Sequence, residues 1–185
     1  MIELLFPVSG FLMKVADEAE DEWGRPLTGM VAGALCGLSS GVLSTADTAA
    51  ACIFLGIFAG NLISCKIDCP SHVLAAAVFL LVLFFGGLPS LSIPALVACT
   101  AGAYVDEYGN DNPRVYEKGR FFRFFFDYRF SLKAVIVLLA VISLAGVSDT
   151  GFGPATVLFF ILFEVAYEIA GRIRSLGGSH GPLCM

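Results

Sequence analysis

The chain has 185 residues, of which 57% are hydrophobic and 15% are charged, and its formal net charge is −5. Soluble domains have about one quarter charged residues, and the mean hydropathy here is +0.84, so the composition excludes an ordinary soluble enzyme and predicts an integral membrane protein. The charge pattern gives no support to nucleic-acid binding. At roughly 20 apolar residues per span, the length accommodates about six or seven spans and no separate soluble domain.

Seven apolar segments follow one another along the chain. They predict an all-α fold, a polytopic membrane helix bundle that forms a single integral membrane domain over residues 1–185. Several segments are shorter than a full span, so some of their ends must lie in protein or in a wet cavity. The segments are Met1–Ala16, Leu27–Ser44, Thr48–Cys65, His72–Leu88, Leu91–Val105, Leu132–Val147 and Gly151–Gly171.

The basic residues predict the orientation, because Lys and Arg in short loops collect on the cytoplasmic side. Within a boundary error of about two to four residues, each of them falls between the end of an odd-numbered segment and the start of the next even one, or after the last segment. The other connections, near Thr45–Asp47, Gly87–Ser90 and Ser148–Thr150, have none. We therefore expect an N-out, C-in protein of the cell membrane. The basic residues are Lys14, Arg25, Lys66, Arg114, Lys118, Arg120, Arg123, Arg129, Lys133, Arg172 and Arg174.

The first segment ends in five carboxylates, Asp17, Glu18, Glu20, Asp21 and Glu22, on the side predicted to be cytoplasmic. Asp17 and Asp21 are four residues apart, so a helix places them on one face about one turn apart. Carboxylate oxygens at that spacing are candidate ligands for a divalent cation. Glu18 and Glu22 form a second such pair. The alternative is that these acids only hydrate the end of a helix.

Glycines recur every fourth residue in segments two and three, a pattern that lets another helix backbone approach closely. We interpret the pattern as tight helix packing. The glycines are Gly29, Gly33, Gly37 and Gly41, followed by Gly56 and Gly60.

The cytoplasmic end of segment three carries Lys66 and Asp68, with His72 nearby. A lone His at a helix start is more often a polar end residue than a ligand, and we interpret His72 in that way. Cys65 and Cys69 match neither a Cys-x-x-Cys redox pair nor a zinc set with further ligands. A packing role is therefore predicted for both thiols.

A second acidic cluster ends segment five, where Asp106, Asn110 and Asp111 offer a comparable set of oxygen ligands and Gly109 is a candidate helix breaker. Two clusters of like charge on one side of the membrane repel each other unless a cation lies between them.

Segments one and five are also alike, since each runs from a proline to an Asp-Glu pair. A degenerate internal repeat with halves 1–90 and 91–185 is one interpretation of this likeness, and chance similarity is the other. Repeated membrane folds often place their site between the halves.

Arginines alternate with phenylalanines in residues 112–130, a pattern typical of a helix in the lipid headgroup layer. The alternative is an anion clamp, because Arg120, Arg123 and Arg129 have the fork geometry that grips phosphate oxygens.

Polar groups also occur inside the apolar segments, namely Asn61 in segment three and Glu164 and Glu168 in segment seven. Ionisable groups in a span are costly, so a functional role is the first hypothesis for them. Glu168 has an alternative, an ion pair with Arg172 one turn further along, whereas Glu164 has no such explanation.

The acidic clusters resemble the two Asp-rich motifs of the UbiA-type intramembrane prenyltransferases. Asp17 and Asp21 are similar to the later aspartates of the first motif, and Arg25-Pro26-Leu27 looks like the R-P-L tail that follows it. The leading Asn-Asp of that motif has no counterpart here. The second motif, D-x-x-x-D, is similar to Asp106 with Asn110 and Asp111.

The resemblance implies a magnesium-dependent enzyme that acts on an isoprenoid diphosphate or a related lipid, with membrane lipids around it. In that family two Asp-rich motifs at cytoplasmic helix ends hold the Mg2+ that binds the diphosphate. The implied metal ligands are Asp17, Glu18, Asp21, Asp106, Asn110 and Asp111, of which Asp17, Asp21, Asp106 and Asp111 are the implied catalytic residues. The implied substrate-binding residues are Asn61, Lys66, Arg120, Arg123 and Glu164.

Two other classes of function remain open on the sequence. One is a cation-handling membrane protein in which Asn61, Glu164 and Glu168 line a path. The other is a non-catalytic membrane subunit whose glycine faces pack against partner helices.

Overall fold

The computed structural model describes residues 2–173, and all regular secondary structure in that range is helical. The predicted all-α class is therefore confirmed. Met1, Arg174 and Cys184 lie outside the described residues. A short 3-10 helix, Ile2–Leu4, precedes the α-helices, which are α1 (Leu5–Asp21), α2 (Pro26–Ala46), α3 (Thr48–Ile63), α4 (Pro70–Gly86), α5 (Ile93–Asp111), α6 (Pro113–Tyr116), α7 (Arg120–Asp127), α8 (Phe130–Leu144) and α9 (Pro154–Ile173).

Each of the seven predicted segments corresponds to one helix, with ends that differ by a few residues. Prolines explain several of the observed starts, because Pro fits the first turn of a helix, where its missing N–H needs no partner. Pro26 begins α2 and Pro70 begins α4, while Pro94 is the second residue of α5. The Arg- and Phe-rich stretch forms α7, so the helix predicted there is confirmed.

The prediction that Gly109 breaks the fifth helix is wrong, since α5 continues to Asp111. Gly109 instead faces the aromatic ring of Phe126 in α7, and a Cβ at this position would overlap that ring. Phe126 is buried. The glycine therefore serves close packing between α5 and α7.

Among residues 2–173, two helices are long and apolar enough to cross a membrane, namely Pro26–Ala46 and the Pro154–Arg172 part of α9. Helices α3, α4 and α8 are apolar but shorter. The described helices also expose large apolar side chains to an unusual degree, with Phe84 and Phe85 both at 81%. Seven spans remain a prediction, because length and composition single out only these two helices.

The chain divides into two compact units that interleave along the sequence. Unit 1 takes the described residues of Met1–Asp47, Ile67–Pro89 and Leu158–Met185, and unit 2 takes Thr48–Lys66 and Ser90–Val157. Unit 1 therefore contains α1, α2, α4 and most of α9, and unit 2 contains α3 and α5 to α8. These units do not coincide with the halves 1–90 and 91–185, and the internal repeat stays a prediction.

In unit 1 the glycine face of α2 packs on α4. A Cβ built on Gly33 would lie 2.6 Å from the carbonyl oxygen of Ser71, and one built on Gly37 would overlap the carbonyl oxygen of Ala75. Backbone atoms cannot move aside as the end of a flexible side chain can. The packing role predicted for these glycines is confirmed.

In unit 2 the glycine face of α3 packs closely on α5. A Cβ on Gly56 would lie 2.7 Å from the Cβ of Cys99, and one on Gly60 would lie 2.8 Å from the Cβ of Ala103. Both glycine faces are therefore filled by helices of the same unit.

Replacement of Gly37 by Ala should destabilise unit 1 by about 1–3 kcal/mol, because the added methyl group forces α2 and α4 apart. The measurement is the midpoint of thermal unfolding in detergent. Gly153→Ala is the control, since nothing lies within 4 Å of a Cβ at that position. Equal midpoints for the two variants would contradict the packing described for α2.

Candidate functional site

Asp17 connects three helices of unit 1. Its Oδ1 lies 3.0 Å from Nε2 of His72, at the start of α4. Its Oδ2 accepts a hydrogen bond of 3.1 Å from the hydroxyl of Tyr167, in α9. The two oxygens of one carboxylate thus join the end of α1 to the start of α4 and to α9.

His72 lies between two carboxylates. Its Nε2 faces Asp17, and its Nδ1 lies 3.4 Å from Oδ1 of Asp68, which precedes α4. The side chains of His72 and Asp17 are 27% and 24% exposed, so solvent still reaches them. The interpretation of His72 as a polar end residue missed these contacts because Asp17 is 55 residues away in the sequence.

Asp21 follows Asp17 by one helical turn. Partial loss of hydration and the negative charge of Asp17 raise the pKa of Asp21, and Asp68 adds to the effect, while His72 and Lys14 oppose it. Desolvation is the larger cause, and repulsion between the ionised acids of this cluster is the second. We call Asp17, Asp21, Asp68, His72 and Tyr167 the Asp17 cluster.

Glu18, a predicted metal ligand, forms an ion pair with Lys14 one turn earlier in α1, with an N–O distance of 3.0 Å. The Lys14 ammonium also lies 5.3 Å from the ring centroid of Tyr167. Glu18 is buried, and its ion pair with Lys14 offsets the free-energy cost of burying the carboxylate charge. The structure thus gives Glu18 a role in charge compensation, and its role as a metal ligand stays a prediction.

Glu20 holds the start of α4. Its Oε1 accepts hydrogen bonds from the backbone N–H of Ser71, at 3.2 Å, and from the Ser71 hydroxyl. Ser71 is the second residue of α4, where backbone N–H groups have no partner within the helix. Glu20 therefore caps α4 from a neighbouring helix, a role that the sequence analysis did not predict.

Asp106 caps the start of α8 in unit 2, as Glu20 caps the start of α4 in unit 1. Its Oδ1 accepts from the backbone N–H of Ser131 at 2.9 Å, and its Oδ2 from that of Leu132 at 2.8 Å. The side chain is deeply buried. Beside it, Glu107 forms an ion pair of 3.1 Å with Arg129, whose backbone is left-handed just before α8. Asp106 and Glu107 thus hold the corner between α7 and α8.

Asp111 and Lys66 pair with each other in unit 2. The Lys66 ammonium lies 2.8 Å from both carboxylate oxygens of Asp111, and both side chains are more than one third exposed. Asn110 beside them is exposed. An exposed pair of this kind is worth at most about 1 kcal/mol, so either partner can exchange it for another ligand at little cost.

The remaining predicted site residues lie on several helices. Asn61 is half-buried near the end of α3, where its backbone carbonyl accepts from the N–H of Lys66. Arg120 and Arg123 are exposed on α7, and the Arg123 guanidinium lies 5.7 Å from the ring centroid of Tyr116. Glu164 is buried in α9, in the part that belongs to unit 1.

The contacts made by the two acidic motifs differ. Asp17 and Asp21 belong to unit 1, and Asp106 and Asp111 belong to unit 2, so the convergence of all four acids stays a prediction. The carboxylates of the Asp17 cluster repel one another and fit a hard divalent cation such as Mg2+. Asp106 fits less well, because it is deeply buried and both of its oxygens cap the start of α8, whereas the side chain of Asp17 remains 24% exposed.

Comparison with family models, with curated proteins and with solved structures finds no match to this chain. The resemblance to the intramembrane prenyltransferases therefore depends on the motif residues alone. What the chain does has to be inferred from the chemistry of its own side chains.

Replacement of Asp106 by Ala should destabilise the protein by about 1–3 kcal/mol without added metal, because two buried N–H groups lose their acceptor. Asp111→Ala, on the same helix, is the matched control and should change stability by less than about 1 kcal/mol. Thermal unfolding in a chelating buffer measures both. The helix-cap role of Asp106 is contradicted if its replacement has an effect only when Mg2+ is present.

Replacement of Asp21 by Asn should raise the unfolding temperature at neutral pH in chelating buffer. The pKa of Asp21 is raised in the folded state, so its ionised form destabilises the fold, and that penalty is complete above the folded pKa. As the pH falls through the folded pKa toward the unfolded value, the penalty disappears and the two proteins should converge. A variant less stable than the wild type at neutral pH would contradict this picture.

Proposed function

We propose that this protein is a membrane-embedded enzyme that uses Mg2+ to act on an isoprenoid diphosphate or a related lipid. The observation that carries the proposal is the Asp17 cluster, in which Asp17 and Asp21 of α1 lie near His72 and near Asp68 just before α4; partial burial, with the charges of Asp17 and Asp68, raises the pKa of Asp21. A divalent cation relieves that repulsion and supplies the charge that a diphosphate needs.

The apolar surface supports a location in the membrane. Side chains such as Leu27, Phe84, Phe85 and Val147 are between 74% and 81% exposed, and a lipid bilayer would cover apolar side chains of this kind. We propose that the seven predicted segments span the cell membrane in the N-out, C-in orientation. The acidic ends of α1 and α5 then face the cytoplasm, where diphosphate substrates are found.

Different residues have different roles in the proposed reaction. Asp17 and Asp21 offer oxygens for Mg2+, which when bound neutralises diphosphate charge as the allylic bond breaks. Lys66, Arg120 and Arg123 belong to unit 2, and their contacts with phosphate stay expectations from the family resemblance. Apolar helix faces hold the prenyl chain and exclude water from the reacting carbon.

This proposal assigns the cation to unit 1 and leaves Asp106 as the cap of α8. A metal held by Asp106, Asn110 and Asp111 follows from the family resemblance, and the deep burial of Asp106 beneath the start of α8, with both oxygens bonded to its backbone, counts against it.

The alternatives have less support. A non-catalytic subunit would present its glycine faces to partners, but Gly33 and Gly60 pack on helices of their own units. A cation-handling protein would line a path with Asn61, Glu164 and Glu168. Asn61 belongs to unit 2 and the two glutamates to unit 1, so a common path through them stays a prediction.

Purified protein should transfer label from radiolabelled geranylgeranyl diphosphate to an extracted membrane lipid when Mg2+ is present. Asp17→Asn and Asp21→Asn should each reduce the rate by about 100-fold or more, because an electrostatic stabiliser of the leaving group is lost. Glu117→Gln is the control, since this glutamate is exposed in the turn between α6 and α7.

The function proposed here is overturned if no labelled product forms and no Mg2+-dependent binding of the diphosphate occurs. Retention of full activity by both aspartate variants would overturn the assignment of the site to the Asp17 cluster.

A further inference from the structure

Three different metal-binding side chains lie within five consecutive residues at the start of α4. Asp68, Cys69 and His72 each present one donor atom, and these carboxylate, thiol and imidazole atoms all lie within 4.8 Å of one another. Asp68 is exposed, Cys69 is buried and His72 is half-buried. The set is therefore open to solvent on one side and enclosed on the other.

The local backbone explains this grouping. Cys69 is the N-cap of α4 and has an extended conformation, with φ −120° and ψ 162°, and Pro70 then begins the helix. Side chains of the first turn point back toward the N-terminus of a helix. His72 therefore returns toward Asp68 and Cys69, and its Nδ1 reaches 3.4 Å from the Asp68 carboxylate.

A second layer of contacts orients the imidazole. Nε2 of His72 lies 3.0 Å from Asp17, and Asp17 accepts a hydrogen bond from Tyr167. With the Nε2 proton donated to Asp17, the lone pair of Nδ1 points toward Asp68 and Cys69. A carboxylate on the far nitrogen of a metal-binding histidine is a common feature of zinc sites, where it fixes the tautomer and raises ligand basicity.

We propose that Asp68, Cys69 and His72 bind a borderline transition metal of the Zn2+ type, with Asp17 as the residue that positions His72. A thiolate and an imidazole suit Zn2+, whereas Mg2+ prefers oxygen ligands. Within the Asp17 cluster, the oxygens of Asp17 and Asp21 are therefore assigned to Mg2+, and the donor atoms of Asp68 and His72, with Cys69, to the transition metal. On binding, the Cys69 thiol loses its proton to solvent and its sulfur bonds to the metal.

The geometry requires only a small adjustment. Ligand atoms of a tetrahedral zinc site lie about 3.3–3.8 Å apart, given bond lengths of about 2.0–2.3 Å, so the donor atoms have to close by about 1 Å. The exposed side chain of Asp68 has the freedom to do so. Three protein ligands leave a fourth position for water or a substrate oxygen, as in catalytic zinc sites.

The test is titration of the full-length protein, purified in detergent with a phosphine reductant, with Co2+ as a spectroscopic substitute for Zn2+. One equivalent should produce a thiolate-to-Co2+ charge-transfer band and the visible bands of tetrahedral Co2+, and Zn2+ should abolish both. Cys69→Ser should lose the charge-transfer band. Cys65→Ser is the matched control and should keep it, because Cys65 is exposed and is not one of the three donors.

The positioning role of Asp17 has its own readout. Asp17→Asn should keep the charge-transfer band while weakening metal affinity by about 10–100-fold. An unchanged affinity would overturn that role. Zinc K-edge absorption of the wild-type protein should show one sulfur scatterer at about 2.3 Å, a result that does not depend on whether any variant folds.

The site is overturned if the wild type shows no charge-transfer band and no sulfur scatterer, or if the band is lost in Cys65→Ser and kept in Cys69→Ser. Failure of prenyl transfer with these signals intact would overturn the proposed function alone. Prenyl transfer without them would overturn the zinc site alone.

Discussion

In each unit a carboxylate at the end of one helix holds the backbone N–H groups at the start of another. Glu20 of α1 accepts from Ser71 of α4 in unit 1, and Asp106 of α5 accepts from Ser131 and Leu132 of α8 in unit 2. The first N–H groups of a helix have no partner within it, and its N-terminus attracts negative charge. In apolar surroundings little water is available for this role, so a helix start without such a carboxylate is costly.

This constraint also positions the candidate site. Because Glu20 holds Ser71, the next residue, His72, is fixed relative to Asp17 at the end of α1, and the distance between their side chains is 3.0 Å. In unit 2 the neighbouring acid, Glu107, pairs with Arg129. Unit 1 thus combines a helix cap with the carboxylates to which we assign cation binding, whereas the buried acids of unit 2 hold the corner between α7 and α8.

The sequence predicted the helices well because their signals are local. Apolar runs, prolines in first turns and glycines at every fourth residue all act within one helix or on its nearest neighbour. Gly109 was interpreted wrongly because its packing partner, Phe126, lies on another helix. The site was harder to predict, since Glu20 and Ser71 are 51 residues apart and a carboxylate that caps a distant helix looks the same in the sequence as one that binds metal. His72 was interpreted as a polar end residue because its contact with Asp17 is 55 residues away in the sequence. Cys69 was assigned a packing role because its spacing to Cys65 matches no redox or zinc pattern.

The central claim is that the acids of unit 1 serve cation binding and that Asp106 serves the fold. The most direct measurement is an anomalous difference map from crystals soaked separately in Mn2+ and in Zn2+. The account predicts Mn2+ density beside Asp17 and Asp21, Zn2+ density between Asp68, Cys69 and His72, and neither at Asp106. Metal density at Asp106, with its carboxylate turned away from the N–H groups of α8, would contradict it.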